Sequence, residues 1–227
     1  MPIRIEVLPF LAAALALSAM LFAVLRLCRV QTRAARAVSG VCAVALAAFL
    51  LYFFRDPARQ PPPDPTAIVA GADGTVMAVT PWSDPVLGAT NAVRISIFLS
   101  LLDVHVNRAP ISGRIAFLEY QPGRRYFAFQ EESSLYNEHS TILIQGARTS
   151  CVVHQIVGPI ARRVVYWLRL GQTVHTGDRV GMMKFGSRLD IILPAAAVAV
   201  TIHKGDRVRA GETVVARITA VTREATP

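Results

Sequence analysis

The sequence predicts a mainly β domain, sandwich- or barrel-like with lipoyl-like hairpin repeats, preceded by an N-terminal hydrophobic helical hairpin. Three observations carry this reading. Two long uncharged apolar runs open the chain, residues 7–25 and 37–54. Beyond them the apolar stretches are short and separated by Gly- and Pro-containing turns. One stretch alternates with period two: Val93, Ile95, Ile97 and Leu99 against Arg94, Ser96, Phe98 and Ser100.

The first run has 19 residues and the second 18. At about 1.5 Å per residue each reaches roughly the thickness of a bilayer's hydrocarbon core. Between them lies an Arg-rich turn with Arg26, Arg29, Arg33 and Arg36. A signal peptide fits poorly, because Arg4 shares the leading segment with Glu6 and a second apolar run follows at once. Residues 1–54 therefore read as a membrane-associating hairpin. Counting flanking Arg leans by one charge toward a cytoplasmic turn and an exported domain, a rule that lapses if the hairpin only dips into one leaflet.

Pro61, Pro62, Pro63 and Pro65 make residues 55–66 a stiff spacer. Residues 67–227 form the β-rich domain. Only 17% of the 227 residues are charged and 53% are hydrophobic, which excludes a disordered chain. Net charge is +9, yet residues 55–227 hold 19 basic and 14 acidic side chains. That domain is only mildly basic and carries no aromatic-basic recognition motif, so nucleic acid is not the expected partner. All but two of the cations are Arg, which suits either phosphate binding or simple codon bias. Cys28, Cys42 and Cys151 are scattered and show no disulfide or metal spacing.

Further strands are expected at 114–120, 141–144, 151–157, 164–168, 189–193 and 197–202. An internal echo links Gly171-Gln-Thr-Val-His-Thr-Gly-Asp-Arg-Val180 with Gly205-Asp-Arg-Val-Arg-Ala-Gly-Glu-Thr-Val214. Both follow G-x-x-V-x-x-G-[DE]-x-V, and glycine suits such corners because it tolerates positive φ.

Two clusters hold chemistry. In Asp103-Val-His105-Val-Asn107-Arg108 an extended chain would put Asp103, His105 and Asn107 on one face. A carboxylate beside an imidazole can orient the ring and keep it basic. The alternative is an ordinary polar strand end. The second cluster is Lys184-Phe-Gly186-Ser187-Arg188-Leu-Asp190. A Gly before a Ser at a strand edge leaves the carbonyl uncrowded, so a strained serine could attack it. Gly-Ser alone is more often just a turn, and Met183-Lys184 also resembles the lysine turn of biotinyl domains.

Together these pieces resemble the phosphatidylserine decarboxylase family in its short form. The matching residues are Phe53-Phe-Arg-Asp-Pro57, Asp103-Val-His-Val-Asn-Arg-Ala-Pro110, Asn137-Glu138, Gly158 before Arg162-Arg163, residues 171–181, and Lys184-Phe-Gly-Ser-Arg188 with Asp190 and Leu193-Pro194. The resemblance spans about residues 8–218. It implies a self-cleaving proenzyme in which Ser187 attacks the Gly186 carbonyl. The β-chain would be residues 1–186 and the α-chain 187–227, capped by a pyruvoyl group derived from Ser187. That group would condense with the serine headgroup amine and take up electrons as CO₂ leaves, with no metal. Phosphatidylserine would become phosphatidylethanolamine. The two chains would stay together as a heterodimer, with a dimer of these left open.

Longer members carry a His before the Asn-Glu segment as the self-cleavage base. Residues 127–132 here contain none. His105 is the first candidate for that role and His139 the second. Arg108 and Arg188 are candidates for binding substrate. The resemblance also implies a cell-membrane protein with its catalytic domain on the cytoplasmic side. The rivals are a non-enzymatic export-pump adaptor with a lipoyl-like domain, and a carrier domain modified on Lys184. The first lacks the expected coiled-coil heptads, and the second leaves the Asp103 cluster unexplained.

Overall fold

The computed structural model describes residues 2–123, 137–158, 164–183 and 187–219, in two compact units, 1–58 and 59–227. In the first unit a short 3₁₀ turn leads into α1 (Leu8–Leu27), which is followed by α2 (Thr32–Phe53). Pro9 stands in the first turn of α1, where its missing N–H costs nothing. Arg29 turns the chain with φ 59°, and the Arg26 guanidinium donates to the Val30 carbonyl at 2.6 Å. Both helices are long and apolar enough to cross a membrane. Their apolar side chains point mostly outward, among them Leu15, Leu17, Met20 and Val44. This is the arrangement expected of a hairpin surrounded by lipid, where no aqueous phase drives those side chains inward.

The second unit contains fourteen strands among the described residues. In chain order these are β1 (Ala67–Val69), β2 (Gly74–Asp84), β3 (Ala89–Leu99), β4 (Val106–Arg108), β5 (Gly113–Gln121), β6 (His139–Gln145) and β7 (Ser150–Val157). Then come β8 (Val164–Tyr166), β9 (Thr173–Val174), β10 (Arg179–Met183), β11 (Ser187–Pro194), β12 (Val198–Val200), β13 (Arg207–Val208) and β14 (Val214–Ile218). A curled eight-stranded sheet runs β13-β2-β3-β11-β7-β6-β5-β9. Two three-stranded sheets, β1-β14-β12 and β4-β10-β8, complete the domain. Every pairing is antiparallel.

The core lies on one face of the large sheet, around Ile95, Ile97, Ile142, Val153, Leu189 and Ile191. Central strand β11 is buried along nearly its whole length, on both faces. Strand β2 escapes a periodicity reading because Pro81 interrupts it. Pro81 is tolerated because β13 pairs only with Thr75 and Gly74, leaving β2 an open edge beyond them. The expected strand at 164–168 stops at Tyr166, and that at 197–202 is the shorter β12 after a 3₁₀ turn. Part of the proline-rich spacer packs onto the second unit. The Arg59 guanidinium lies 2.7 Å from Asp73 and 3.2 Å from Glu212.

A shared turn does occur twice, though out of register with the echo as aligned in the sequence. In His175-Thr-Gly177-Asp178 and His203-Lys-Gly205-Asp206 the Asp carboxylate accepts the His backbone N–H at 2.7 Å. Gly177 and Gly205 have φ of 85° and 99°, a conformation that a side chain would strain. Each donates its N–H to an earlier segment, Gly177 to Ala109 and Gly205 to Val76.

Candidate active site

Ser187 is the first residue of β11 and is fully buried. It is paired on one side with Leu99 of β3 and on the other with Val157 of β7. Cross-strand partners share a face, so Ser187 and Leu189 point into the core with Gln155 and Val157. The Ser187 hydroxyl is buried and has no hydrogen-bond partner among the described residues. An orphaned hydroxyl inside a protein is costly, and such groups collect where a reaction uses them. Gly186 and Lys184 lie outside the described residues, as do residues 127–132 and Arg162-Arg163.

The chain leaving β3 at Leu99 supplies the next groups. Ser100 to Asp103 form a turn closed by the Asp103 N–H on the Ser100 carbonyl, 3.0 Å. Asp103 Oδ2 accepts the Ser100 amide at 2.8 Å and its hydroxyl at 2.7 Å. Asp103 Oδ1 accepts Arg207 from β13 at 2.8 Å. Burial alone would raise the Asp103 carboxyl. The Ser100 hydroxyl and amide, with Arg207, outweigh it and hold the group below the ordinary carboxylate value.

His105 is fully buried, and its Nδ1 lies 2.9 Å from the Asp103 main-chain oxygen. A carbonyl only accepts, so Nδ1 carries a proton, and in the neutral tautomer the lone pair falls on Nε2. The ring is thus oriented by the Asp103 carbonyl, not by its carboxylate. This corrects the extended-chain expectation. Residues 101–105 form a turn and irregular backbone, strand geometry resumes only at Val106, and period-two facing does not apply before it.

Two connections bring this segment to Ser187. Leu99 is the cross-strand partner of Ser187. The Met183 N–H, at the end of β10, donates to the His105 carbonyl at 3.2 Å. Met183 and Ser187 are four residues apart, at most about 15 Å of chain. Asn137 and Glu138 sit on the other flank. The Asn137 amide donates to the Val157 carbonyl at 2.8 Å, and the Val157 N–H to the Glu138 carbonyl at 3.1 Å.

His139 is placed differently. It pairs with Ile156, which pairs with Arg188, so it lies on the face of the sheet opposite Ser187. Its ring stacks on His154 with centroids 5.9 Å apart. Burial pulls the His154 imidazole toward its neutral form, against the opposing pull of Asp190 and Asp84. On this face Arg188 makes a two-point contact with Asp190, at 2.9 and 3.0 Å. Arg108 donates to the Gly177 carbonyl at 2.8 Å. Both guanidiniums are buried and bonded within the protein. Arg207, Ser100 and Gln155 were not legible as site residues. Gln155 alone left a trace, as a polar residue inside the apolar run 151–157.

A buried serine hydroxyl at the head of β11 and an oriented imidazole in the segment leaving its partner strand β3, in an antiparallel β domain that follows two membrane-length helices, are features suited to a membrane-associated enzyme. Comparison with known proteins names the family. A sequence model of phosphatidylserine decarboxylase matches residues 46–216. The phosphatidylserine decarboxylase proenzyme of Chlorobium phaeobacteroides is 44% identical over 180 residues, 79% of this chain and 84% of that one. The proenzyme of Prosthecochloris aestuarii is 47% identical over 174 residues, 77% and 79% of the two chains. That of Chlorobium phaeovibrioides is 41% identical over 206 residues, 91% of each. The chain belongs to the phosphatidylserine decarboxylase family, whose members are carboxy-lyases. Nothing in the fold or these relatives favours a non-enzymatic adaptor.

Proposed function

We propose that this chain is made as a precursor that cleaves itself between Gly186 and Ser187, and that the mature form converts phosphatidylserine to phosphatidylethanolamine and CO₂. The observation that carries the reading is the buried hydroxyl of Ser187, unpartnered among the described residues, on the strand paired with the one that leads into the Asp103–His105 segment. The residues fit a pyruvoyl group at position 187, since its formation removes a hydroxyl that makes no hydrogen bond among the described residues. That ketone supplies a place for the headgroup amine to attach and a sink for the electron pair left by CO₂.

The chain's own residues then have separate roles. His105 takes the Ser187 proton at Nε2, with the Asp103 carbonyl holding the other nitrogen. The Asp103 carboxylate keeps the turn in place through Ser100 and Arg207. Residues 187–219 contribute β11, β12, β13 and β14, and β11 lies between β3 and β7. After cleavage the α-chain remains woven into sheets of the β-chain, which supports a stable heterodimer. The two apolar helices hold the enzyme at the membrane that contains its substrate. A cytoplasmic position for the catalytic domain suits bacterial supply of the serine lipid.

Intact-mass measurement of purified protein tests this. Two chains are expected, one of 41 residues with a blocked, ketone-bearing N-terminus. Ser187→Ala should stay a single inactive chain. An uncleaved wild type with full activity overturns the proposal.

A further inference from the structure

Three buried polar side chains form a one-way hydrogen-bond chain on the Ser187 face of the sheet. The Ser140 hydroxyl donates to Gln155 Oε1 at 2.7 Å, and Gln155 Nε2 donates to Asn107 Oδ1 at 2.7 Å. All three residues are fully buried. With its oxygen taken, the Asn107 amide can only offer N–H at its other end. That nitrogen is buried and has no partner among the described residues.

Its position is set by pairing. Gln155 is the cross-strand partner of Leu189, two residues along β11 from Ser187 and on the same face. Asn107 is two residues past His105, and its own partner on β10 is Gly181, two residues before Met183. Gln155, which holds Asn107, therefore sits about one strand repeat, roughly 7 Å along the sheet, from the level of Ser187. Gly181 makes room for the chain, because a Cβ there would collide with the Val165 carbonyl and come within 3.0 Å of Gln155 Nε2.

Resting on the reading above, we propose that Asn107 recognises the carboxylate of the serine headgroup, donating from Nδ2. A donor held ready in an apolar interior calls for an acceptor that arrives with the substrate. A carboxylate is the acceptor that makes the strongest such bond. It is also the one group that separates substrate from product, since both lipids carry the same primary amine and phosphate. Loss of CO₂ removes the acceptor and leaves Asn107 unpaired against the product, which favours release. Asn107 is thus a specificity-determining residue, and Gln155 and Ser140 position it. A site built to hydrogen-bond a group rejects the analogue lacking it far more strongly than an apolar site can.

The test uses full-length enzyme in detergent, matured into two chains and then treated with borohydride to reduce the ketone so that no turnover occurs. Calorimetry measures binding of dihexanoyl phosphatidylserine and of dihexanoyl phosphatidylethanolamine. Wild type should prefer the serine lipid by about 10- to 100-fold. Asn107→Leu, similar in size but without a donor, should bring the ratio near one while leaving affinity for the ethanolamine lipid unchanged. Gln155→Leu keeps the donor but loosens it, and should lower the ratio part of the way. A purely structural role would weaken both lipids together and leave the ratio intact. An unchanged ratio in a matured variant overturns the assignment. So does failure of both variants to mature, which would move Asn107 to the cleavage step. Wild type that neither cleaves nor decarboxylates overturns the proposed function itself, a separate and recognisable outcome.

Discussion

Asp103 and His105 lie close enough that either could be taken for the base in self-cleavage, and Asp103→Asn separates the two. The structure sets the size of the effect. The carboxylate accepts three hydrogen bonds, two from Ser100 and one from Arg207. An asparagine keeps one oxygen, which will face the two buried Ser100 donors. Those bonds fall from the charge-assisted to the neutral class, a loss of roughly 1 kcal/mol or less each. The Arg207 side chain is 66% exposed, so its ion pair is worth at most about 0.5 kcal/mol here. The total is about 2 kcal/mol, and if all of it appears in the barrier, cleavage slows about 30-fold. His105→Ala removes the base itself and should slow cleavage by about 10²- to 10⁴-fold. Time courses of precursor disappearance on denaturing gels, for each variant against wild type, measure both. A loss above about 10³-fold in Asp103→Asn with near-normal cleavage in His105→Ala would show that the carboxylate takes the proton and that the tautomer argument fails.

Four further outcomes are expected. His139→Ala should cleave and turn over within a few fold of wild type, because its ring lies on the opposite face from Ser187; a loss as large as that of His105→Ala in the same time course would contradict the placement. Gly181→Ala should lower the melting temperature by several degrees, since its Cβ meets backbone at Val165 and Tyr166 as well as Gln155 Nε2, and the backbone cannot swing aside; an unchanged melt would refute the close packing. Deleting residues 1–54 should release the protein from membranes in a sedimentation assay while cleavage continues, because residues 59–227 form their own compact unit. The Asp103 carboxyl is held below its ordinary 3.8, so its contribution to stability is complete above that value and is lost as pH falls through the lower folded-state value. Melts at about pH 6 and about pH 3 should therefore show the gap between wild type and Asp103→Asn shrinking in acid.

Local chemistry made much of this protein legible from its sequence. Charge-free runs of membrane length leave helices as the economical solution in lipid, because every backbone group must be satisfied within the segment. The period-two run at 93–99 and the Gly-Asp corners near 177 and 205 are equally local, and both stand in the structure as read. The Gly-Ser pair and the Asp-Val-His triplet were visible as candidates for the same reason. Tertiary structure decided what those residues do. Arg207 reaches Asp103 across 104 residues of sequence, through a pairing of β13 with β2 that no periodicity encodes. The turn at 100–103 moves the carboxylate off the imidazole and puts a main-chain carbonyl in its place. Strand pairing alone determines that His139 lies across the sheet from Ser187 while Gln155 and Asn107 lie on its side. A strand buried on both faces has no polar side to betray its register. In β11 the alternation that would have told Ser187 from Arg188 is therefore written only in the partners the fold brings to each face.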